Sequence, residues 1–352
     1  MPDIEYEIIQ FDPNTISSDI IDSYLDFSNI IFRESEKDDP LPSREIQLKN
    51  LKDLHPNHLI FRWFAILNET KKKVIGSAKL LLLNNKSPNY NETKHFVNMT
   101  ISVQEGYRRK GIGTRLLEII LQKLKEFDFV TTITTVTTSI SGKNFCDKYM
   151  GKLVHYSIAN KLRIIDVEWP IISLWKNQGL ELNEKEGVII ETFESVPDQL
   201  LEEYCALYTE IIVQAPRGEM SDKIIVTPES YRLEENHLRN KDIKLYNKIT
   251  RENDGTISGL TEIEVDKSKP YQVGQRITGV KEKYRKRGLG KWLKADMLFF
   301  IKENFPAVKY ISTGNADNNA PMLSINNRMG FKQYREIWWY EFNLEELKLN
   351  IK

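Results

Sequence analysis

Residues 107–113 read YRRKGIG and residues 284–290 read YRKRGLG. Each copy follows a β-branched run, TISV at 100–103 and ITGV at 277–280. Each also opens an amphipathic helical pattern, IGTRLLEIILQKLKEF and LGKWLKADMLFFIKENF. The same turn in the same strand–turn–helix context, found twice, calls for one supersecondary architecture used twice. Period-2 patterns predict strands near 5–10, 58–66, 73–83, 94–103, 130–137 and 152–168, and again near 187–193, 242–250, 256–265, 271–280, 308–313 and 331–342. Helical patterns fall near 17–30, 42–54, 112–127 and 142–150, then near 196–213, 228–239, 288–304 and 319–328. The order β, two helices, three strands, helix, strand, helix, strand is thus written twice. NETK at 68–71 and ENDGT at 252–256 are the matching polar hairpin turns.

A chain of 352 residues accommodates two such units of about 100 to 200 residues each. The segment WPIISLWKNQGLELNEKEG, punctuated by Pro170 and Gly179, reads as their connection, which predicts domains 1–179 and 180–352. Fifty basic and fifty acidic residues cancel, so no global field points to nucleic acid or an anionic membrane. Basic turns without interleaved aromatics argue against a nucleic-acid binder as well. The longest apolar runs, such as KLLLL at 79–83, are far short of a bilayer span, and the N-terminus lacks the order of a signal peptide. Two cysteines, one in each half, suit unpaired thiols in a reducing compartment; the expected location is the cytoplasm. None of the five histidines stands at metal-ligand spacing from a second donor, so no metal is expected.

In Arg-x-x-Gly-x-Gly the glycines permit a tight turn and close backbone approach to a ligand. The helix that follows presents unpaired amide N–H groups and the positive end of its dipole. Together these favour a pyrophosphate, with Arg108, Arg109 and Lys110 around Gly111, Ile112 and Gly113 in one copy. In the other copy Arg285, Lys286 and Arg287 surround Gly288, Leu289 and Gly290. A basic turn that merely starts a helix fits either copy alone equally well. The spacing is not that of a nucleoside-triphosphate loop or a dinucleotide fingerprint.

The pattern V-x-x-x-Y-R-x-x-G-[IL]-G-x-x-L resembles the acyl-coenzyme-A-binding motif of the GNAT superfamily of N-acetyltransferases. STGNADNNAPMLSINNRMGF at 312–331 resembles the family's closing strand and Asn-capped helix. The resemblance covers both halves, is strongest over 271–340, and is similar to tandem GNAT proteins related to mycothiol synthase. It implies an α/β fold: two tandem domains, each a mostly antiparallel mixed sheet flanked by helices. It implies acetyl-coenzyme A as co-substrate and no metal. It further implies that the strands bearing Ile101, Ser102 and Val103, and Thr278, Gly279 and Val280, splay from a neighbour and offer backbone groups to the pantetheine arm. Asn319 is the expected N-cap of the last helix, read either as a cap alone or as a cap that adds a cofactor contact. The family commonly has a tyrosine four residues before the closing glycine as proton donor to the thiolate. Counted that way, this chain has Asn326 before Gly330 and Asp147 before Gly151, with Tyr149 nearby but out of register.

An ammonium acceptor needs a base. Glu262 and Glu264, alternate residues of one strand, are the candidates, beside the reading of a solvated charged edge. Arg217, Glu219 and Asp222 in IIVQAPRGEMSD are candidate acceptor contacts or loop charges. EIWWYEF at 336–342 reads as packing. The function expected is transfer of an acetyl group to a primary amine of a small molecule or peptide, mainly in the C-terminal domain of a monomer or homodimer. The alternative is a coenzyme-binding sensor or scaffold without turnover.

Overall fold

The computed structural model describes residues 4–37, 39–52, 57–68, 72–87, 90–213, 225–316 and 320–351. In chain order the first elements are β1 (Tyr6–Gln10), α1 (Ser18–Ser35), α2 (Arg44–Lys52), β2 (His58–Leu67), β3 (Val74–Leu83), α3 (Tyr90–Thr93), β4 (Phe96–Val103), α4 (Ile112–Leu124), β5 (Thr132–Thr137) and α5 (Ile140–Lys148). Next come β6 (Lys152–Arg163), α6 (Trp169–Glu186), β7 (Ile189–Phe193), α7 (Asp198–Val213), α8 (Pro228–Asn240), β8 (Ile243–Arg251), β9 (Ile257–Asp266) and β10 (Gln272–Val280). The chain closes with α9 (Leu289–Asn304), β11 (Tyr310–Ala316), α10 (Ala320–Met329), β12 (Lys332–Asn343) and α11 (Leu344–Asn350).

The contacts divide into two compact units, 1–154 with 338–352, and 155–337. In the N-terminal unit β1, β2, β3 and β4 pair antiparallel in that order, and β5 adds parallel to β4. The far side of β5 is completed by β12, antiparallel over Trp338↔Thr137 to Asn343↔Thr132. The C-terminal unit repeats the plan: β7, β8, β9 and β10 antiparallel, β11 parallel to β10. Its sixth strand is β6, antiparallel to β11. Each unit therefore takes its sixth strand from the other half of the sequence.

This changes the expected division. Residues 179 and 180 lie inside α6, not in a linker. Pro170 sits in the first turn, where its missing N–H is unpaired anyway. Gly179 is there for packing: a Cβ would lie 2.1 Å from Trp292 of α9. Ile172 and Trp175 of α6 belong to the core cluster of Leu162, Ile263, Val273, Leu298 and Phe331. β6 also ends at Arg163, before a short 3-10 turn at Ile164–Asp166, rather than at 168.

The helices after the glycine turns are buried along one stripe. α4 buries Leu116, Leu117, Ile120, Leu121 and Leu124 at the spacing of a single face. α9 buries Trp292, Leu293, Ala295, Met297, Leu298 and Ile301, and a lysine, Lys294, among them.

Candidate functional site

Each glycine turn joins a strand end to a helix start. Gly111 and Gly288 are the N-caps of α4 and α9, both left-handed (φ 80° and 89°), and neither helix has a side-chain cap. Arg109 (φ 62°) and Lys286 (φ 67°) are left-handed too, without being glycine. That conformation costs about 1–2 kcal/mol for an L-residue, so each turn holds its shape against strain. The first intrahelical bonds to the caps come from Arg115, and from Lys291 and Trp292, leaving the amides of Ile112 and Gly113, and of Leu289 and Gly290, at an uncapped helix end.

The basic side chains divide their work. Arg108 Nε donates to the Val103 carbonyl (2.8 Å) and its guanidinium pairs with Glu34 of α1. Arg285 Nε donates to the Val280 carbonyl (3.2 Å). These arginines tie each turn back to the strand before it, and the Val103 and Val280 carbonyls expected to be free for a pantetheine arm are accepting already. Arg287 is bound to Glu252 at 2.9 and 3.0 Å and to Glu186, so its charge is neutralised within the fold. Burial opposes the Arg287 charge, but those two carboxylates outweigh it and hold it protonated. Arg109, Lys110 and Lys286 remain exposed at the turns, Lys110 over the Tyr107 ring at 5.6 Å.

Both strands that lead into the turns fork from their parallel neighbours. β4 pairs β5 only over Phe96–Asn98 with Thr132–Thr134, leaving Met99–Val103 beyond the ladder. β10 pairs β11 only over Gln272–Gln275 with Tyr310–Thr313. Past a bulge between Gln275 and Ile277, β10 continues along β9 alone, with Thr278, Gly279 and Val280 opposite Thr261, Leu260 and Gly259. Ile101, Ser102 and Val103 hold the corresponding place on β4, paired to β3. The two forks differ at the next residue. Thr135 Oγ1 donates to the Met99 carbonyl at 2.8 Å and bridges the N-terminal fork. Exposed Gly314 stands at that register in the C-terminal one, with no atom of the described residues within 4 Å of where a Cβ would be.

Glu262 and Glu264 do share a face of β9, and both reach Arg276, the residue at the bulge, at 2.7 and 3.2 Å. Their surroundings differ. Glu262 is fully buried, and besides Arg276 Nε it has the phenols of Tyr231 (2.7 Å), Tyr208 (3.1 Å) and Tyr204 (3.3 Å) around its two oxygens. Tyr204 directs its one proton to Asn247 Oδ1 at 2.7 Å, so Arg276, Tyr231 and Tyr208 take three of the roughly four acceptor positions of the carboxylate, and full burial keeps an incoming ammonium from the remaining one. Burial opposes the charge on Arg276, but Glu262, with Tyr208 and Glu264, raises its pKa further and keeps it a cation. Glu264, with a side chain 40% exposed, is the carboxylate of the two that solvent reaches. Arg276 and the three tyrosines are the residues the strand pattern did not single out. The tyrosine spacing in EEYCALY (204 and 208, one helical turn apart) was the available signal.

The helix ends correct the register of the expected proton donor. α10 ends with Gly330 left-handed (φ 100°) and the Phe331 amide donating to the Asn326 carbonyl at 3.1 Å. α5 ends the same way, but with Met150 left-handed (φ 59°) and the Gly151 amide on the Cys146 carbonyl at 2.9 Å. The counterpart of Asn326 is thus Cys146, and not Asp147. Gly151 takes the aromatic's place because Phe342 of β12 fills the space, 2.8 Å from a would-be Cβ. Asp147 is bound to Lys143 and to the Tyr340 hydroxyl. Tyr149, set aside as out of register, brings its hydroxyl to Thr114 Oγ1 of the N-terminal turn at 2.6 Å. Cys146 and Cys205 are buried and free. Asn319, Arg217, Glu219 and Asp222 lie outside the described residues.

Six-stranded units, each with a forked parallel pair and a glycine turn at the fork, define a tandem GNAT fold. Residues 21–151 match the model of the Acetyltransferase (GNAT) family, so the match falls on the first repeat. No curated protein matches the sequence. Among solved structures, the chain is similar over 97% of its length to 99% of a tandem GNAT protein from the clavulanic acid biosynthesis pathway, at 18% identity and TM-score 0.72. It is similar to a GCN5-related N-acetyltransferase from Sphaerobacter thermophilus, at 15% identity and TM-score 0.62, over 96% of each chain. It also resembles N-myristoyltransferase of Saccharomyces cerevisiae with bound myristoyl-CoA, at 11% identity and TM-score 0.51, over 96% of this chain and 82% of that one. Among the described residues no helix is long and apolar enough to cross a membrane.

Proposed function

We propose that the protein is an N-acetyltransferase that moves an acetyl group from acetyl-coenzyme A to a primary amine of a small molecule or peptide. The observation that carries this is the forked strand pair ending in an uncapped, strained glycine turn. The helix N-terminus suits a pyrophosphate, and the fork leaves one edge of β10 for the amide groups of a pantetheine arm. Turnover is assigned to the C-terminal unit. Its fork is open at Gly314 where Thr135 bridges the other, and Glu264 is there as the solvent-reached base. Glu262 then serves to hold Arg276 and the tyrosines beside that strand. The N-terminal unit binds coenzyme and stabilises the protein by linkage.

The second reading, a sensor without turnover, draws on Asn326 and Cys146, neither of them the family's tyrosine. One assay separates the two readings. Gly113→Glu and Gly290→Glu each place a carboxylate in one turn, and amine-dependent thiol release is then followed beside calorimetry with coenzyme A. Two binding events in the parent protein are expected, with turnover surviving in the first variant and lost in the second. The reverse pattern overturns the assignment of domains, and binding without amine-dependent release supports the sensor.

A further inference from the structure

Lys294 lies in the core of α9, 3% exposed, at a position where α4 has Leu117. Among the described residues no carboxylate pairs with it. Its ammonium donates to Asn326 Oδ1 of α10 at 2.6 Å and stands over the Phe331 ring at 5.2 Å. Asn326 is itself 1% exposed, and its Nδ2 has no partner. An ammonium has three N–H donors and a side-chain amide two, so among the described residues this pair gathers five donors around a single acceptor. A buried donor surplus is costly, which points to an acceptor from outside the chain.

The place fits the reacting end of the coenzyme. Gly290 and Lys294 are four residues apart, on one face of α9. A methyl at Gly290 would lie 3.8 Å from Val280 Cγ2 and 4.0 Å from Ile325 Cδ1, so that face looks onto the end of β10 and onto α10. Lys294 is one turn further along that face, against Asn326 of α10. The N-terminal unit has Leu117 and Cys146 at these two positions, both buried and neither charged. The two polar residues therefore occur together in one repeat and are missing together from the other. Several described charged groups around this helix pair with one another rather than with Lys294: Asp296 of α9 with Lys248 and Lys176, Glu262 and Glu264 with Arg276, and Arg251 with Glu191, while Arg328 of α10 stands over the Trp175 ring at 4.9 Å.

We propose that Lys294, steered by Asn326, is the proton donor to the departing coenzyme A sulfur in the C-terminal unit. This rests on the acyltransferase reading given above. The amine nitrogen bonds to the acyl carbon and sheds a proton to solvent or to Glu264. The carbon–sulfur bond breaks with its electron pair on sulfur, and the Lys294 ammonium supplies the proton that makes the free thiol. Lys294, left as a neutral amine, regains a proton from solvent. Burial lowers its pKa to about 7, which makes it a far readier acid than an ordinary lysine.

The test uses the full-length protein with Lys294→Met, and with Lys294→Leu/Asn326→Cys, which installs the packing of the first repeat. Calorimetry with coenzyme A reports binding, and the pH profile of kcat reports the acid. Both variants are expected to bind coenzyme within about threefold of the parent. The parent's kcat is expected to decline above neutral pH, and in both variants kcat should fall roughly a hundredfold and lose that decline. A variant that binds coenzyme and keeps both rate and profile overturns the proposal. Should the parent bind coenzyme only through the N-terminal turn, as read from Gly290→Glu keeping the full stoichiometry, it is the assignment of turnover to the C-terminal unit that falls, and binding with no amine-dependent thiol release in the parent is what overturns the acyltransferase reading. If Lys294→Met does not fold, the double variant carries the comparison; a titration of the ε-carbon resonance of Lys294 that coenzyme A leaves unmoved also refutes the proposal.

Discussion

Lys294 sets packing against chemistry, and stability should record the conflict. Burial lowers its pKa from 10.5 to about 7. Between those values the unfolded chain holds a proton that the folded chain does not, so the folded state gains stability as pH rises through that window. Below about 7 both states are protonated and the penalty is complete; above 10.5 it is absent. Lys294→Leu should therefore raise the urea midpoint most at pH 6, less at pH 8.5 and least at pH 10.5. An equal shift at all three would mean that the ammonium is not what the core opposes. A residue that lowers stability while completing a site is the pattern expected where function was selected over packing. The same logic separates Glu262 from Glu264. Burial raises the pKa of the first against the opposing pull of Arg276 and the phenols, and its full enclosure makes it a fixture, while the second keeps solvent access.

Most strands and helices were legible because hydrophobic period and turn chemistry agreed, as at ENDGT, where Gly255 is left-handed (φ 86°) in the β8–β9 turn. The glycine turns were legible for the same reason. α6 was not, since Pro170 and Gly179 carry the signature of a linker unless their packing is known. Gly179 has no Cβ because the Trp292 indole occupies that space. In an exposed helix Gly→Ala would stabilise by about 1 kcal/mol. Here Gly179→Ala is expected to destabilise by about 1–3 kcal/mol, since the clash is with a buried ring held on α9. Denaturant unfolding decides the sign, and stabilisation would show that α6 and α9 can part without loss. The proton-donor register failed in sequence because Met150 adopts the left-handed conformation that Gly330 adopts in the other repeat. Counting back from a glycine therefore chose Asp147 over Cys146. Arg276 was missed because a bulge reverses which side chains of β10 face which way.

At the scale of the whole molecule, the repeat in the sequence is not the unit of folding. Sequence shows where a pattern recurs, but the partner of a strand is set by pairing, and here each unit is finished by a strand from the other half. The N-terminal unit needs 338–352 for this. β12 pairs along the whole of β5, Tyr340 donates to Asp147 at 2.7 Å, and Phe342 packs onto Gly151. Trp338, Tyr340, Phe342, Leu344 and Leu347 of this segment are all buried, each at most 7% exposed. At about 1.5–3 kcal/mol for each large apolar side chain buried, their loss exceeds much of the 5–15 kcal/mol by which a domain is ordinarily stable. A fragment 1–179, the first repeat as the sequence divides it, also leaves the hydrogen-bonding edge of β5 bare. The fragment is expected to show no cooperative thermal transition and to aggregate. A single chain that joins 338–352 by a flexible linker to the end of 1–154 should recover a two-state transition and a dispersed amide spectrum. A fragment 1–179 that unfolds cooperatively by itself would show that β5 can be an edge, and that β12 adds to a unit already complete.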